Sequence, residues 1–150
     1  MSPAIEVSDL TKRYGDTRAV DGVSFSVEPG EVFAILGPNG AGKSTTVEIL
    51  EGHRDRDGGS VSVFGIDPAK GGREYRDRVG IVLQSAGIDK ELTVREVLDL
   101  YGAAYTRRRP IDEVLDAVEL TEKADARVRT LSGGQQRRVD LALGLIGDPD

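Results

Sequence analysis

One short stretch of the sequence combines the residue types that phosphate binding requires. Positions 37–44 read Gly-Pro-Asn-Gly-Ala-Gly-Lys-Ser, which matches the phosphate-loop pattern G-x-x-x-x-G-K-[ST] at every fixed position. Glycines allow the backbone to curl until consecutive N–H groups point inward and form a concave anion site. Lys43 can reach the β- and γ-phosphates of a nucleotide, and the Ser44 hydroxyl suits a ligand of Mg²⁺. The stretch therefore predicts a site for a nucleoside triphosphate.

The segments on both sides of this loop fit the same interpretation. The apolar residues 32–36 predict a strand buried on both faces. Residues 45–51 predict a helix that Gly52 ends, and its N-terminus would add a positive dipole end beneath the anion site. A glycine-rich turn that binds nothing is the disfavoured alternative. The residues predicted to contact the nucleotide here are Gly37, Pro38, Asn39, Gly40, Ala41, Gly42, Lys43, Ser44 and Thr45.

Composition limits the classes of protein to which the chain can belong. Its 150 residues, with 38% hydrophobic and 31% charged residues, suit a single globular domain with a real core. The absence of cysteine excludes disulfides and thiolate metal sites. A net charge of −6 argues against non-specific nucleic-acid binding, so no nucleic-acid partner is expected. Neither a signal peptide nor an apolar run of about 20 residues is found. The basic cluster at 107–109 is interpreted as a solvated connection rather than a patch for phosphate or lipid headgroups.

The first half of the chain otherwise predicts short strands joined by turns. Alternating apolar residues predict strands at 5–10, 23–27 and 61–63, with turns at 11–16 and 28–31. A helix is predicted at 68–76, although Gly71 and Gly72 interrupt it. The apolar residues 79–83 predict a second buried strand. The opening is therefore expected to be antiparallel and to precede the nucleotide-binding core.

The second half of the chain has a helical pattern. Thr93 and Glu96 have the spacing of a capping box, in which each side chain accepts from the other residue's backbone N–H. Apolar residues then recur at helical spacing over 94–105 and 111–118. Residues 85–130 are therefore predicted to form a helical insertion in an otherwise α/β chain.

A second candidate anion site follows at residues 131–135, which read Leu-Ser-Gly-Gly-Gln. A polar residue and two glycines stand before an apolar-periodic helix, so the start of that helix would present free backbone donors. An ordinary helix start capped by Ser132 explains the same residues equally well. Both alternatives stay open on physical grounds alone.

The loop at 37–44 and the pentapeptide at 131–135, with Gln84 between them, resemble the nucleotide-binding subunit of an ATP-binding cassette (ABC) transporter. The stretch 52–68 further resembles the bacterial drug- and polyketide-export branch. The resemblance implies an α/β fold: a P-loop NTPase core with an N-terminal antiparallel β-subdomain and an inserted α-helical subdomain. The implied divisions are β-subdomain and core at 1–84, helical subdomain at 85–130, and signature motif with its helix at 131–150.

The resemblance also implies roles for particular residues. Tyr14 matches the ring that stacks on adenine, for which a tyrosine in a strand-end turn is the alternative. Gln84 matches the glutamine that meets Mg²⁺ or the attacking water. Ser132, Gly134 and Gln135 match the signature that binds the γ-phosphate of ATP held by the opposite subunit. This implies a head-to-tail dimer of two cassettes, expected to be a homodimer, with two ATP molecules and Mg²⁺, and a separate transmembrane permease.

Part of the family's catalytic set is not found in the sequence. The aspartate that helps hold Mg²⁺ and the glutamate that polarises water should follow an apolar strand beyond residue 150, so we expect a fragment of a longer chain. We expect this piece to bind ATP weakly and hydrolyse it little. The parent is expected to be the ATPase of an exporter of drugs or other small hydrophobic compounds, cytoplasmic and peripheral on the inner face of the membrane. The alternatives are a soluble ABC protein acting on ribosomes or chromosomes, and a regulatory nucleotide-binding module.

Overall fold

The computed structural model describes residues 2–83 and 87–150 of the chain. The chain divides into two compact units, Met1–Tyr75 and Arg76–Asp150. The strands are β1 (Ile5–Tyr14), β2 (Thr17–Val27) and β3 (Gly58–Val63). The helices are α1 (Lys43–Leu50), α2 (Gly72–Arg78), α3 (Val94–Gly102), α4 (Ile111–Ala117) and α5 (Gly133–Leu145), with 3₁₀ turns at Thr121–Lys123 and Val128–Thr130. None of the helices formed by the described residues combines the length and the apolar character that a membrane span requires.

The first unit is built on a three-stranded antiparallel sheet in the order β2-β1-β3. Ile5 of β1 lies opposite Val27 of β2 on one side and Val63 of β3 on the other. The antiparallel opening is therefore confirmed. The predicted turn at 11–16 was wrong, because β1 pairs with β2 as far as Tyr14. The chain reverses only over the two residues between Tyr14 and Thr17, as two-residue hairpin loops do.

The core of the first unit lies between one face of the sheet and the helices that flank it. Its buried apolar side chains are Val7, Leu10, Val20, Val27, Ile49, Val61, Val63 and Tyr75. The Tyr75 hydroxyl donates to the carbonyl oxygen of Leu50, which links α2 to the end of α1. Burial, with a smaller contribution from the charge of Glu51, raises the pKa of Tyr75 to about 12. The predicted helix at 68–76 is displaced, since α2 begins at Gly72, after the first glycine of the pair.

The two apolar segments predicted as buried strands do not form strands. Val32 and Leu36 are 97% and 89% exposed, and residues 79–83 are also without strand structure. A central strand needs a hydrogen-bonded neighbour on each side. The ladders among the described residues join β1, β2 and β3, and neither segment belongs to them. One local contact of the first segment is aromatic: the rings of Phe33 and Phe25 stack with centroids 5.0 Å apart.

The second unit contains a helical cluster, and its helix α3 begins with a complete capping box. Thr93 Oγ1 accepts from the backbone N–H of Glu96 at 3.2 Å, and Glu96 Oε2 accepts from the N–H of Thr93 at 2.8 Å. The predicted box and the predicted helical periods are confirmed. Three helices share one core, to which α3 contributes Val94, Val97 and Leu98, α4 contributes Val114 and Leu115, and α5 contributes Val139 and Ala142.

The basic cluster at 107–109 is paired with carboxylates of the same unit. Arg108 contacts Asp99 at 2.9 Å and Arg109 contacts Asp148 at 2.8 Å. Arg107 lies 3.4 Å from a carboxylate oxygen of Asp150. All three arginines sit in surface ion pairs, which fits a solvated connection between helices.

Candidate functional site

The start of α1 presents backbone donors that the helix itself does not use. Its N-cap, Gly42, has left-handed backbone angles (φ 79°, ψ 6°) and contributes no side-chain cap. The N–H of Thr46 donates to the carbonyl oxygen of Gly42 at 2.8 Å, which closes the first helical turn. Helical bonds run four residues back, so the amides of residues 43–45 have no carbonyl of α1 to reach. Free amides of this kind, together with the positive end of a helix dipole, are the groups that favour an anion.

Two glycines of the loop are required for different reasons. A Cβ at Gly42 would lie 2.0 Å from the carbonyl oxygen of Ala19, so the loop backbone is pressed against β2 at this point. A Cβ at Gly40 would meet nothing within 4 Å, although its φ of +83° favours glycine. Gly42 therefore permits a close approach, whereas Gly40 permits a backbone conformation that leaves open space above the loop.

Lys43 is held across the loop rather than extended into solvent. Its Nζ donates to the carbonyl oxygens of Gly37 at 2.7 Å and Pro38 at 2.6 Å. An ammonium group has three donors, so one remains after these two bonds. The loop is also closed by the N–H of Ala41, which donates to the Pro38 oxygen at 3.2 Å. Lys43 thus arranges the loop and keeps a charged donor for a ligand.

These residues border a cavity with a volume of about 360 Å³. It is lined by Tyr14, Ala19, Asn39, Gly40, Gly42, Lys43, Ser44 and Thr45. Among these lining residues Lys43 carries the only formal charge, so the cavity suits an anion. The predicted residues Gly37, Pro38 and Ala41 are not part of this described lining and hold the loop through their backbone atoms. Sequence reasoning missed Ala19, whose role depends on its carbonyl oxygen and leaves no side-chain signal.

The described lining of the cavity offers Mg²⁺ neutral oxygen ligands, among them the Ser44 hydroxyl, and no carboxylate. Ser44 lies in the lining, and within residues 2–83 and 87–150 no group of three His, Asp or Glu side chains could hold a metal ion. Mg²⁺ prefers to keep phosphate oxygens and waters among its six ligands. The residues present therefore fit a magnesium ion that arrives with a nucleotide. Gln84, the other predicted metal ligand, lies outside the described residues.

Tyr14 stands at the edge of the cavity with two cations near its ring. It is the last residue of β1, and it is 42% exposed. The centroid of its ring lies 5.3 Å from Cζ of Arg54 and 5.7 Å from Nζ of Lys12. The structure thus brings the predicted base-stacking ring to the same cavity as the phosphate loop. Arg54 was not predicted, because nothing in the local sequence around it refers to Tyr14.

The second candidate site, at the start of α5, is a capped helix N-terminus. Ser132 Oγ accepts from the N–H of Gln135 at 3.2 Å, and Gln135 Oε1 accepts from the N–H of Ser132 at 3.0 Å. A Cβ at Gly133 or Gly134 would meet nothing within 4 Å. The Ser-capped helix start is therefore present, with two open glycine positions beside it. Whether a nucleotide also binds here stays a prediction.

Comparisons with known proteins identify a matching family and similar relatives. A family model described as "ABC transporter" matches residues 20–150. The Nod factor export ATP-binding protein I of Burkholderia pseudomallei (strain 1710b) is 44% identical over 151 residues, covering 97% of this chain and 50% of that protein. The protein of the same name from Rhizobium meliloti (strain 1021) is also 44% identical, with 97% and 45% covered. The chain therefore spans about half the length of the curated relatives it matches.

Solved structures agree with the fold. The chain matches cbiO1 from Clostridium perfringens, part of the ABC transporter complex cbiONQ, with a TM-score of 0.86 and 28% identity. The match covers 99% of this chain and 63% of that one. An ATP-binding cassette of an ABC transporter in its ADP conformation gives a TM-score of 0.85 at 26% identity, covering 99% and 66%. The predicted P-loop ATPase fold is confirmed.

Proposed function

The chain belongs to the ABC transporter family, and from that premise we propose that it forms the nucleotide-binding part of an ATPase that powers export. The observation that carries this proposal is the cavity at the start of α1. It combines uncapped helix amides, the Lys43 ammonium and the Ser44 hydroxyl in one lining. These are the groups that a triphosphate with Mg²⁺ requires.

We assign each part of the nucleotide to a part of this cavity. The phosphates lie over the amides of residues 43–45 and take the remaining donor of Lys43. The Ser44 hydroxyl ligates Mg²⁺, and Gln84 is proposed as a further ligand or as a contact of the attacking water. Adenine stacks on the Tyr14 ring, an interaction worth roughly 1–3 kcal/mol per base. Stacking contributes affinity but selects weakly among bases, because every base has a π face.

Catalysis needs more than these residues provide. Lys43 stabilises the charge that develops on the γ-phosphate. Such electrostatic stabilisation, with positioning of the reactants, supplies most of the rate enhancement in phosphoryl transfer. The described lining of the cavity contains no carboxylate or histidine that could act as a general base. We therefore propose that this stretch binds ATP and, by itself, hydrolyses it slowly, while the whole protein is a transport ATPase.

The second glycine-rich helix start completes the proposed nucleotide site in a dimer. Ser132, Gly134 and Gln135 would contact the γ-phosphate of ATP held by a second copy of the chain. Support comes from the open positions at Gly133 and Gly134, where a phosphate oxygen could approach the backbone. ATP binding then closes a head-to-tail homodimer, and hydrolysis reopens it.

The relatives support a proposal for the cargo and the membrane partner. Both relatives described above are named for Nod factor export, and we propose that this protein serves an exporter of drugs or other small hydrophobic compounds. A separate permease subunit would supply the membrane path, and the ATPase would lie against its cytoplasmic side.

Titration of the purified protein with a fluorescent ATP analogue in the presence of Mg²⁺ tests the proposal. Lys43→Ala should abolish measurable binding, because it removes the charge of the cavity lining. Lys123→Ala is the matched control, since Lys123 is an exposed lysine of the second unit. Failure of the unmodified protein to bind, or equal binding by Lys43→Ala, would contradict the proposal.

A further inference from the structure

The Tyr14 ring is contacted by a residue that also touches the phosphate-binding helix. Nε of Arg54 donates to Oε2 of Glu48 at 2.5 Å, and Glu48 belongs to α1. The guanidinium carbon of the same arginine lies 5.3 Å from the centroid of the Tyr14 ring. A continuous chain of contacts therefore runs from α1 through Arg54 to the end of β1.

The segment that carries Arg54 also fixes the strand beneath the ring. Asp57 accepts from Nζ of Lys12 at 2.9 Å and from the backbone N–H of Arg13 at 2.7 Å. Its own N–H donates to the carbonyl oxygen of Thr11 at 2.9 Å. Residues 54–57 thus hold the last residues of β1 through the backbone and the Tyr14 ring through a cation.

We propose that Arg54 is a positioning residue that orients the Tyr14 ring for a nucleobase and links that ring to the phosphate-binding helix. The inference rests on the proposed nucleotide site. Tyr14 is partly exposed and ends its strand, so any freedom of its ring about χ1 and χ2 would have to be lost when a base binds. The Arg54 cation, beside the Lys12 contact, restricts that freedom beforehand.

Arg54 does this without entering the phosphate site. Of the described residues, the cavity lining includes Tyr14 but neither Arg54 nor Lys12. Lys12 is held by Asp57, whereas Arg54 is held by Glu48, so Arg54 alone of the two connects the ring to α1. Loss of Arg54 should therefore weaken the base-dependent part of the affinity and leave the phosphate-dependent part unchanged.

Titration with two ligands separates these parts. The affinities of the protein for ATP and for inorganic tripolyphosphate are measured with the same Mg²⁺ concentration, and their ratio reports the contribution of the nucleoside. Arg54→Ala should lower this ratio about two- to fivefold, the size expected for an exposed cation–π contact. Arg54→Lys keeps a cation and should recover part of the ratio, while Glu48→Gln, which loosens Arg54, should lower it.

Two controls make the result specific. Arg109→Ala removes a guanidinium from a similarly exposed carboxylate pair in the second unit and should leave the ratio unchanged. In a Tyr14→Ala background, Arg54→Ala should have no further effect, because the two residues act through the same contact.

The outcomes distinguish this inference from the function it rests on. If the unmodified protein binds neither ligand, the proposed nucleotide site is overturned and this inference with it. If the unmodified protein binds both ligands but Arg54→Ala weakens them equally, or leaves the ratio unchanged, the positioning role of Arg54 alone is overturned.

Discussion

The ammonium group of Lys43 lies 2.6 Å from the carbonyl oxygen of Pro38, within the loop that precedes its own helix. A second bond, to the oxygen of Gly37, is 2.7 Å long. The lysine that would meet the phosphates therefore also holds the loop in its shape. This dual role leads to a prediction that needs no ligand.

Replacing Lys43 by Met should loosen the loop in the absence of nucleotide. Methionine keeps an unbranched chain but has no donor, so both carbonyl contacts are lost. Hydrogen bonds from a charged donor contribute about 1.5–3 kcal/mol each, and amide exchange in residues 37–42 should accelerate by about tenfold or more. Exchange mass spectrometry measures this, with Lys123→Met as the control. Unchanged exchange would show that the turns of the loop alone maintain its shape.

Adding a methyl group at the two loop glycines should have unequal effects. At Gly42 the new Cβ would meet the Ala19 oxygen at 2.0 Å, so Gly42→Ala should lower the free energy of unfolding by roughly 3 kcal/mol or more. At Gly40 the space is open and the cost should be only the left-handed conformation, about 1–2 kcal/mol. Urea denaturation of the two variants gives both values. If the two variants lost equal free energy of unfolding, the cost at Gly42 would come from its backbone angles rather than from the contact with β2.

The two capping boxes allow structure and ligand binding to be separated. Thr93→Ala and Ser132→Ala each remove the acceptor for one helix N–H, so each should cost about 1 kcal/mol of stability. If Ser132 also contacts a γ-phosphate, only Ser132→Ala should in addition reduce ATP-dependent association of two copies. Thermal unfolding and light scattering with ATP report the two effects. A comparable decrease in association for Thr93→Ala would leave Ser132 with a capping role alone.

Tyr75 should make stability decrease in strong alkali. Burial raises the pKa of this phenol to about 12 in the folded protein, while about 10 is usual in an unfolded chain. Between these two values the unfolded state loses its proton first, so the free energy of unfolding should fall as the pH rises from about 10 to about 12. The midpoint of urea unfolding at each pH measures this, and Tyr75→Phe should lessen the slope. If the slope of unfolding free energy against pH were unchanged in Tyr75→Phe, other groups would be responsible for it.

The parts of this molecule that could be predicted are those determined by near neighbours in the chain. The Thr93–Glu96 capping box depends on two residues three positions apart and forms as expected. The Ser132 cap, one of two alternatives for its segment, is also present, whereas the roles of the phosphate loop and of Ser132 in nucleotide binding stay predictions. The strands at 32–36 and 79–83 were predicted from apolarity alone. Apolarity indicates burial but does not supply the neighbouring strands that a ladder needs.

The contact between Arg54 and Tyr14, by contrast, could not be predicted from the sequence. It joins the loop after α1 to the end of β1, and neither segment contains a pattern that refers to the other. The antiparallel pairing of β1 with β3, which follows the Arg54 segment in the chain, brings them together. The same holds for Ala19, which contributes a backbone oxygen that any residue at that position would possess.

The approach of Gly42 to Ala19 joins the phosphate loop to the hairpin that carries Tyr14. Ala19 lies on β2 shortly after the hairpin turn, and Tyr14 lies on β1 shortly before it. One hairpin therefore carries two contributions to the cavity, the Tyr14 ring and the carbonyl oxygen against which Gly42 packs. An insertion or deletion in the turn of this hairpin should displace both of them together.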